Sequence, residues 1–339
     1  MKTFALATAA LVASAATLTP VQGWWDSGHM LVGEVAAQLM AKEDVATIEK
    51  VLSDWDKDFQ GTSSVSTAAI WADLIKCNKD AAFCPAKAGL PSLTALDDWH
   101  YINLPLYANG ARWGNGEPDV SLFKQAFAGQ APTAVESLLK TISTTKSLWS
   151  ANLAIRQLIH IIGDIHQPMH AVGSVSQKFP DGDLGGNLYK FQAPCQFSNL
   201  HALYDSAAGE YVTNWNPDAS LYRPYIEKTA TELVSWVPLI KDNINIQQWA
   251  NLAYADFLKA AFGADAFKKV ILESYTIATS FIYPSLNLEV NGAGFVACPS
   301  SEYAAWAATI SKYRVALGGK RLAAVLTQIA KQLRALKLA

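Results

Sequence analysis

The chain has 339 residues, 51% of them hydrophobic and 17% charged, with a net charge of −2. That composition excludes a disordered chain, and the length suffices for a sizeable core. The charge excludes nucleic-acid binding by a basic surface alone, because proteins that neutralise phosphates with lysine and arginine are normally basic.

In chain order, residues 1–23 read as a secretory signal peptide. Lys2 supplies a positive start, Phe4 to Leu18 form a short apolar stretch, and cleavage is expected after Val21-Gln22-Gly23. The stretch is too short and too poorly flanked for a membrane span. No later segment reaches spanning length without charges, so a secreted, extracellular protein is expected. Losing residues 1–23 removes Lys2 and no acid, which makes the mature chain more acidic.

From Trp24 onward, apolar positions recur at three- and four-residue spacing. Helices are expected over 29–41, 43–53, 65–76, 121–129, 132–146, 148–166, 197–212, 218–238, 246–262, 264–282, 301–315 and 319–337. Loops rich in Gly and Pro are expected near 85–91, 104–119 and 173–187. Strand signals are scarce, with Leu188 to Gln192 as a short hairpin arm. No linker divides this span, so the expectation is an all-α fold, a single compact multi-helix domain over 24–339.

Four cysteines follow the leader, an even count that favours two disulfides in a secreted chain. Three pairings are possible. Cys77 and Cys84 close a short loop, which leaves Cys195 with Cys298. A thiolate zinc site is the alternative, but the spacing lacks a C-x-x-C pair.

The chemistry concentrates in the six histidines. The stretch HIIGDIHQPMH holds His160, Asp164, His166 and His170 in an otherwise apolar run. His160 and Asp164 are four apart, so they share a helix face. NLHALYD repeats that spacing with His201 and Asp205. A single such pair is more often a salt bridge or cap, but two of them with His170 close by point to metal, since neutral imidazole and carboxylate suit zinc. His166, six residues past His160, points away from that face and reads as structural. His29 lies in WWDSGHM and His100 in DDWHYIN. Asp73 sits in AIWADLIK, on an apolar face where an acid needs a partner or a metal.

The ordered set is Trp24-x-x-x-x-His29, Trp71-Ala-Asp73, Trp99-His100-Tyr101-Ile102-Asn103, His160-x-x-x-Asp164-x-x-Gln167-Pro168-x-His170, Gly185-Gly186-Asn187 and His201-x-x-x-Asp205. It resembles the secreted zinc-dependent single-strand nucleases of fungi and plants, the mung bean nuclease type with 3′-nucleotidase activity. The bacterial zinc phospholipases C share the metal cluster and much of the fold.

The resemblance implies a centre of three Zn2+ ions. Asp73, His100, His160 and Asp164 would take the first, His170, His201 and Asp205 the second. The third would take His29, Asp164 and the free amino group and carbonyl oxygen of Trp24. Paired zinc ions lower the pKa of a bound water and give hydroxide near neutral pH, able to attack a phosphoester. Asp73, Lys76 and Asp164 are the expected catalytic residues, with Lys76 on the phosphate. Tyr101, Asn103, Gly185, Gly186 and Asn187 would bind the base. Single-stranded DNA and RNA and 3′-nucleotides are the expected partners, 5′-phosphates the products, and a monomer the expected state. The alternatives are a secreted zinc phospholipase C and a secreted zinc-binding protein without activity.

Overall fold

The computed structural model describes residues 23–77, 84, 93–109, 112–113 and 118–339. Residues 1–22 of the expected leader and the loop expected at 85–91 lie outside them. The helices in chain order are α1 (Asp26–Leu39), α2 (Lys42–Ser53), α3 (Val65–Ala68), α4 (Trp71–Leu74), α5 (Ala131–Thr144), α6 (Leu148–Asp164), α7 (Leu200–Asp205), α8 (Arg223–Trp236), α9 (Tyr254–Gly263), α10 (Ala266–Ile277) and α11 (Ser301–Ala335). The fold is mostly helical, as the periodicity implies.

α6 occupies the middle of the fold. Ser147 caps it by accepting the Ser150 N–H, and its apolar side chains from Ala154 to Ile162 are buried. It packs on α5, α2, α3, α4, α1 and α11. Burying an aliphatic side chain contributes about 1.5–3 kcal/mol, and α6 alone supplies Ile155, Leu158, Ile159, Ile161 and Ile162 to one continuous core. Its C-terminal end delivers His160 and Asp164 into that core.

Several boundaries differ from the sequence expectation. The two helices expected over 301–315 and 319–337 are one helix of 35 residues, α11. Gly318-Gly319 reads locally as a break, yet here it permits a close approach. A Cβ on Gly319 would lie 2.5 Å from Val35 Cγ1 and 3.0 Å from the Val32 carbonyl oxygen of α1. Residues 65–76 split into α3 and α4, and 197–212 shrinks to α7, ended by positive φ at Ala207, Ala208 and Gly209. Residues 121–129 form a 3-10 turn over Val120–Gln125.

Part of two expected loops is strand. β1 (Leu104–Asn109) pairs antiparallel with β2 (Arg112–Trp113) and parallel with β3 (Val172–Val175), in register Leu104 with Val172. The order is β2-β1-β3. Lys190 and Phe191 make only isolated bridges, to Asn199 and Val296, in place of a hairpin arm. The sheet matters because the Ile102 N–H donates to the His170 carbonyl at 2.9 Å, which sets the His100 segment beside His170.

A buried ionic network fastens the end of α6 to α10 and α11. Arg314 Nε donates to the His166 carbonyl at 3.0 Å, and its guanidinium also reaches Glu273 and Ser274. Arg321 donates to Glu273 at 2.7 Å and to Asp242 at 2.7 Å. Removing one partner of a buried pair leaves the other charges uncompensated. Arg321→Met is therefore expected to cost about 3–5 kcal/mol, read as a lower midpoint in urea denaturation; an unchanged midpoint would show that Glu273 and Asp242 are satisfied without it.

The cysteines pair Cys77 with Cys84 and Cys195 with Cys298. All four thiols are consumed, so none is available as a metal ligand. Among the described residues, no helix is long and apolar enough to cross a membrane.

Candidate metal centre

Five chain segments converge behind the end of α6. Three groups of ligand atoms form, each with its atoms within 4.8 Å of one another: Asp73, His100 and His160; His29, His160 and Asp164; and His170, His201 and Asp205. All of these side chains are buried. His29 rides on α1, Asp73 on α4, His160 and Asp164 on α6, and His201 and Asp205 on α7. His100 comes from the segment before β1, and His170 ends a 3-10 turn after α6.

Asp164 is the hub. Its Oδ2 lies 3.0 Å from His100 Nδ1 and 3.1 Å from His160 Nε2, while its Oδ1 lies 3.3 Å from His29 Nε2. The two oxygens thus face different groups. Burial opposes its charge, but His160, His170 and His29 outweigh that and hold the carboxyl well below the usual range.

Backbone carbonyls set the imidazole tautomers. His160 Nδ1 donates to the Ala69 carbonyl, His170 Nδ1 to that of His100 at 2.8 Å, and His201 Nδ1 to that of Gly185 at 2.7 Å. In a neutral imidazole this turns Nε2, the nitrogen able to ligate, toward the other groups. The Nε2 atoms of His170 and His201 stand 3.2 Å apart, and His160 Nε2 lies 2.8 Å from His100 Nδ1 and 3.1 Å from Asp164 Oδ2. A second nitrogen bound to a carbonyl is also how metal-ligating histidines are oriented.

The remaining buried atoms agree. Both ring nitrogens of His29, His100 Nε2 and Asp164 Oδ1 lack a hydrogen-bond partner among the described residues. Burial lowers His100 to about 4, so it is neutral at pH 7, as a ligand must be. Burial likewise lowers His29, and His160 adds to the effect. Burial drives Asp205 well above its ordinary value, and the charges of Asp164 and Asp73 add to the effect. Imidazole and carboxylate donors without thiolate fit zinc.

Trp24 is fully buried, and its indole N–H donates to the Gly163 carbonyl at 3.0 Å, one residue from Asp164. A Cβ added to Gly23 would collide with Asp164 Oδ1 and come within 2.9 Å of His29 Nε2. The chain just before Trp24 therefore lies against the His29–Asp164 group.

The other expected site residues are placed as follows. Lys76 Nζ lies 2.9 Å from Asp73 Oδ1 and 3.8 Å from Asp97, and only 2% of the residue is exposed. Burial opposes its charge, but Asp73 outweighs it and keeps the ammonium above its usual pKa. Burial also opposes the charge on Asp73, and Lys76 with His160 and His100 holds that carboxyl ionised. Tyr101 is half-buried, with its hydroxyl donating to Asp98 at 3.0 Å, and Asn103 is buried at the start of β1. Asn187 Nδ2 donates to the Leu184 carbonyl at 2.9 Å. Gly185 has φ +61° and its Cβ position is filled by the Met169 carbonyl oxygen, so only glycine can present its own carbonyl to His201 there.

His166 stays outside the three groups. Its Nδ1 donates to the Ile162 carbonyl at 2.7 Å and its Nε2 faces Arg321 at 3.2 Å. The sequence motifs give no role to Asp97 and Asp98, yet Asp97 lies 3.8 Å from Lys76 and Asp98 accepts from Tyr101, and the signal for both is their place directly before Trp99-His100. Gln167, which a motif includes without a role, contacts Asp205 directly.

Comparison with known proteins agrees with this geometry. The S1/P1 nuclease family profile matches residues 24–331. Endonuclease 3 of Arabidopsis thaliana is 26% identical over 215 residues, covering 63% of this chain and 64% of the relative. Nuclease S1 of Aspergillus oryzae is 26% identical over 209 residues, 58% of this chain and 61% of its own. Endonuclease 4 of Arabidopsis thaliana is 24% identical over 313 residues, 90% and 89% of the two chains. The matches to the first two span less than two thirds of those relatives. Since the family profile covers nearly everything from Trp24 onward, the chain belongs to the S1/P1 nuclease family.

Proposed function

We propose that the protein is a secreted zinc-dependent nuclease. It hydrolyses single-stranded DNA and RNA to 5′-phosphate products and removes phosphate from 3′-nucleotides. The observation that carries this is the convergence of five buried histidines and three buried aspartates into three groups whose ligand atoms lie within 4.8 Å of one another.

The donor set supports three zinc ions. Asp73, His100, His160 and Asp164 would hold the first; His170, His201 and Asp205 the second; His29, Asp164 and the freed terminus of Trp24 the third. Zinc so held would lower the pKa of a water and neutralise phosphate oxygens. It also supplies the positive field that the acidic chain lacks.

The protein's own groups do the rest. Asp164 offers one oxygen to each of two groups and so sets their spacing. Lys76 holds Asp73 ionised. The carbonyls of Ala69, His100 and Gly185 keep three imidazoles in the ligating tautomer. Tyr101 offers a face on which a base stacks, worth about 1–3 kcal/mol per base, while Asn103 and Asn187 hydrogen-bond base edges. Stacking needs an unpaired base, which favours single strands. The two disulfides suit an oxidising compartment, and the protein acts as a monomer.

The test is digestion by the chain beginning at Trp24. Single-stranded DNA and RNA are expected to be cut faster than duplex, with loss of activity on chelation and recovery on adding zinc. Cleavage indifferent to chelation would end the metal mechanism. Hydrolysis of phosphatidylcholine without nucleolysis would transfer the site to a zinc phospholipase C.

A further inference from the structure

Gln167 lies between two parts of the His170–His201–Asp205 group and is fully buried. Its Oε1 accepts the Met169 backbone N–H at 2.5 Å, capping the 3-10 turn that ends at His170. Its Nε2 donates to Asp205 Oδ1 at 2.5 Å. Chemistry fixes which way the amide faces. A backbone N–H can only donate, so the amide oxygen must meet Met169, and the NH2 is thereby turned to Asp205. An NH2 can only donate, so Asp205 Oδ1 is engaged as an acceptor. The other oxygen, Oδ2, is the one 3.4 Å from His201 Nε2.

We infer that Gln167 is a positioning residue that restricts Asp205 to ligation through Oδ2 alone. The coordination position that Oδ1 would fill is thereby kept for water or a phosphate oxygen. Catalytic zinc sites keep such a position beside three protein ligands, and here two imidazoles and one carboxylate oxygen make three. One amide thus sets the carboxylate and, through Met169, the turn that carries His170. The inference rests on the metal reading of the site.

Two substitutions separate the contacts. Gln167→Glu keeps an acceptor for the Met169 N–H and loses the donor to Asp205. Gln167→Met fills similar volume, loses both and buries no charge, so it carries the test if Gln167→Glu does not fold. Elemental analysis after graded chelation reads zinc retention ion by ion. One zinc per molecule is expected to leave the variants about 10–100-fold more readily, as when an outer-shell partner is lost, with the other two retained as in wild type. With zinc in excess, inorganic phosphate is expected to bind the variants more weakly by calorimetry, because Oδ1 now competes for its place.

Equal loosening of all three ions would show a general structural role and overturn the inference. So would wild-type zinc retention, or wild-type phosphate affinity. A wild-type chain that takes up no zinc would instead sink the metal reading, and that control tells the two failures apart.

Discussion

Replacing Asp164 with asparagine is expected to abolish hydrolysis and to release zinc while leaving the helical fold in place. The carboxylate faces His100 and His160 with Oδ2 and His29 with Oδ1. Asparagine has the same size but only one acceptor oxygen. Whichever way it turns, one group meets an NH2 that can only donate. Loss of an outer-shell partner costs about 10–100-fold, and a ligand shared by two groups should exceed that. The fold should persist, because α6 is held by its buried aliphatic side chains and by Arg156, which donates to Asn152, Thr62 and Leu52. Zinc per molecule, the rate on single-stranded DNA and far-ultraviolet circular dichroism are the three measurements. A folded variant with wild-type zinc content and rate would remove Asp164 from the centre.

Retaining one residue before Trp24 is expected to cost the third zinc and most of the activity. An α-amino group has a pKa of about 7.7–8.0 and ligates metal when deprotonated. In the uncleaved chain the same nitrogen is an amide, a poor ligand. The geometry sharpens the expectation. Residue 23 is already pressed against Asp164 and His29, so its peptide would occupy the approach to that group. Trp24 itself would not move, since its indole is anchored on Gly163. The comparison is between a chain starting at Trp24 and one starting at Gly23, scored by elemental zinc and by digestion. Equal zinc and equal rates would show that cleavage does not complete the site.

Two pairs of the candidate metal centre were legible in the sequence because their spacing is local, and the resemblance added Trp24, His29, Asp73 and His100. His160 with Asp164 and His201 with Asp205 share helix faces by periodicity alone, and an acid such as Asp73 in an apolar run already announces a buried partner. The helical class and the cysteine pairing were legible for similar reasons. Less legible was anything that depends on a partner distant in the chain. Gly318-Gly319 looks like a helix break until α1 is seen passing at backbone distance. β1 looked like loop because its partner, β3, lies some seventy residues away and only the pairing makes either one a strand.

The same division runs through the site. By itself the sequence determined which side chains offer imidazole and carboxylate donors on a shared helix face, since donor type and helix spacing are properties of neighbouring residues. Only the tertiary structure decided which nitrogen of His160, His170 and His201 meets a backbone carbonyl, that Lys76 pairs with Asp73, and that Gln167 takes one oxygen of Asp205. Those outcomes depend on hydrogen bonds between segments far apart in the chain, to the carbonyls of Ala69, His100 and Gly185 and to Asp205 itself. Packing closes them, and spacing along the chain carries no record of it.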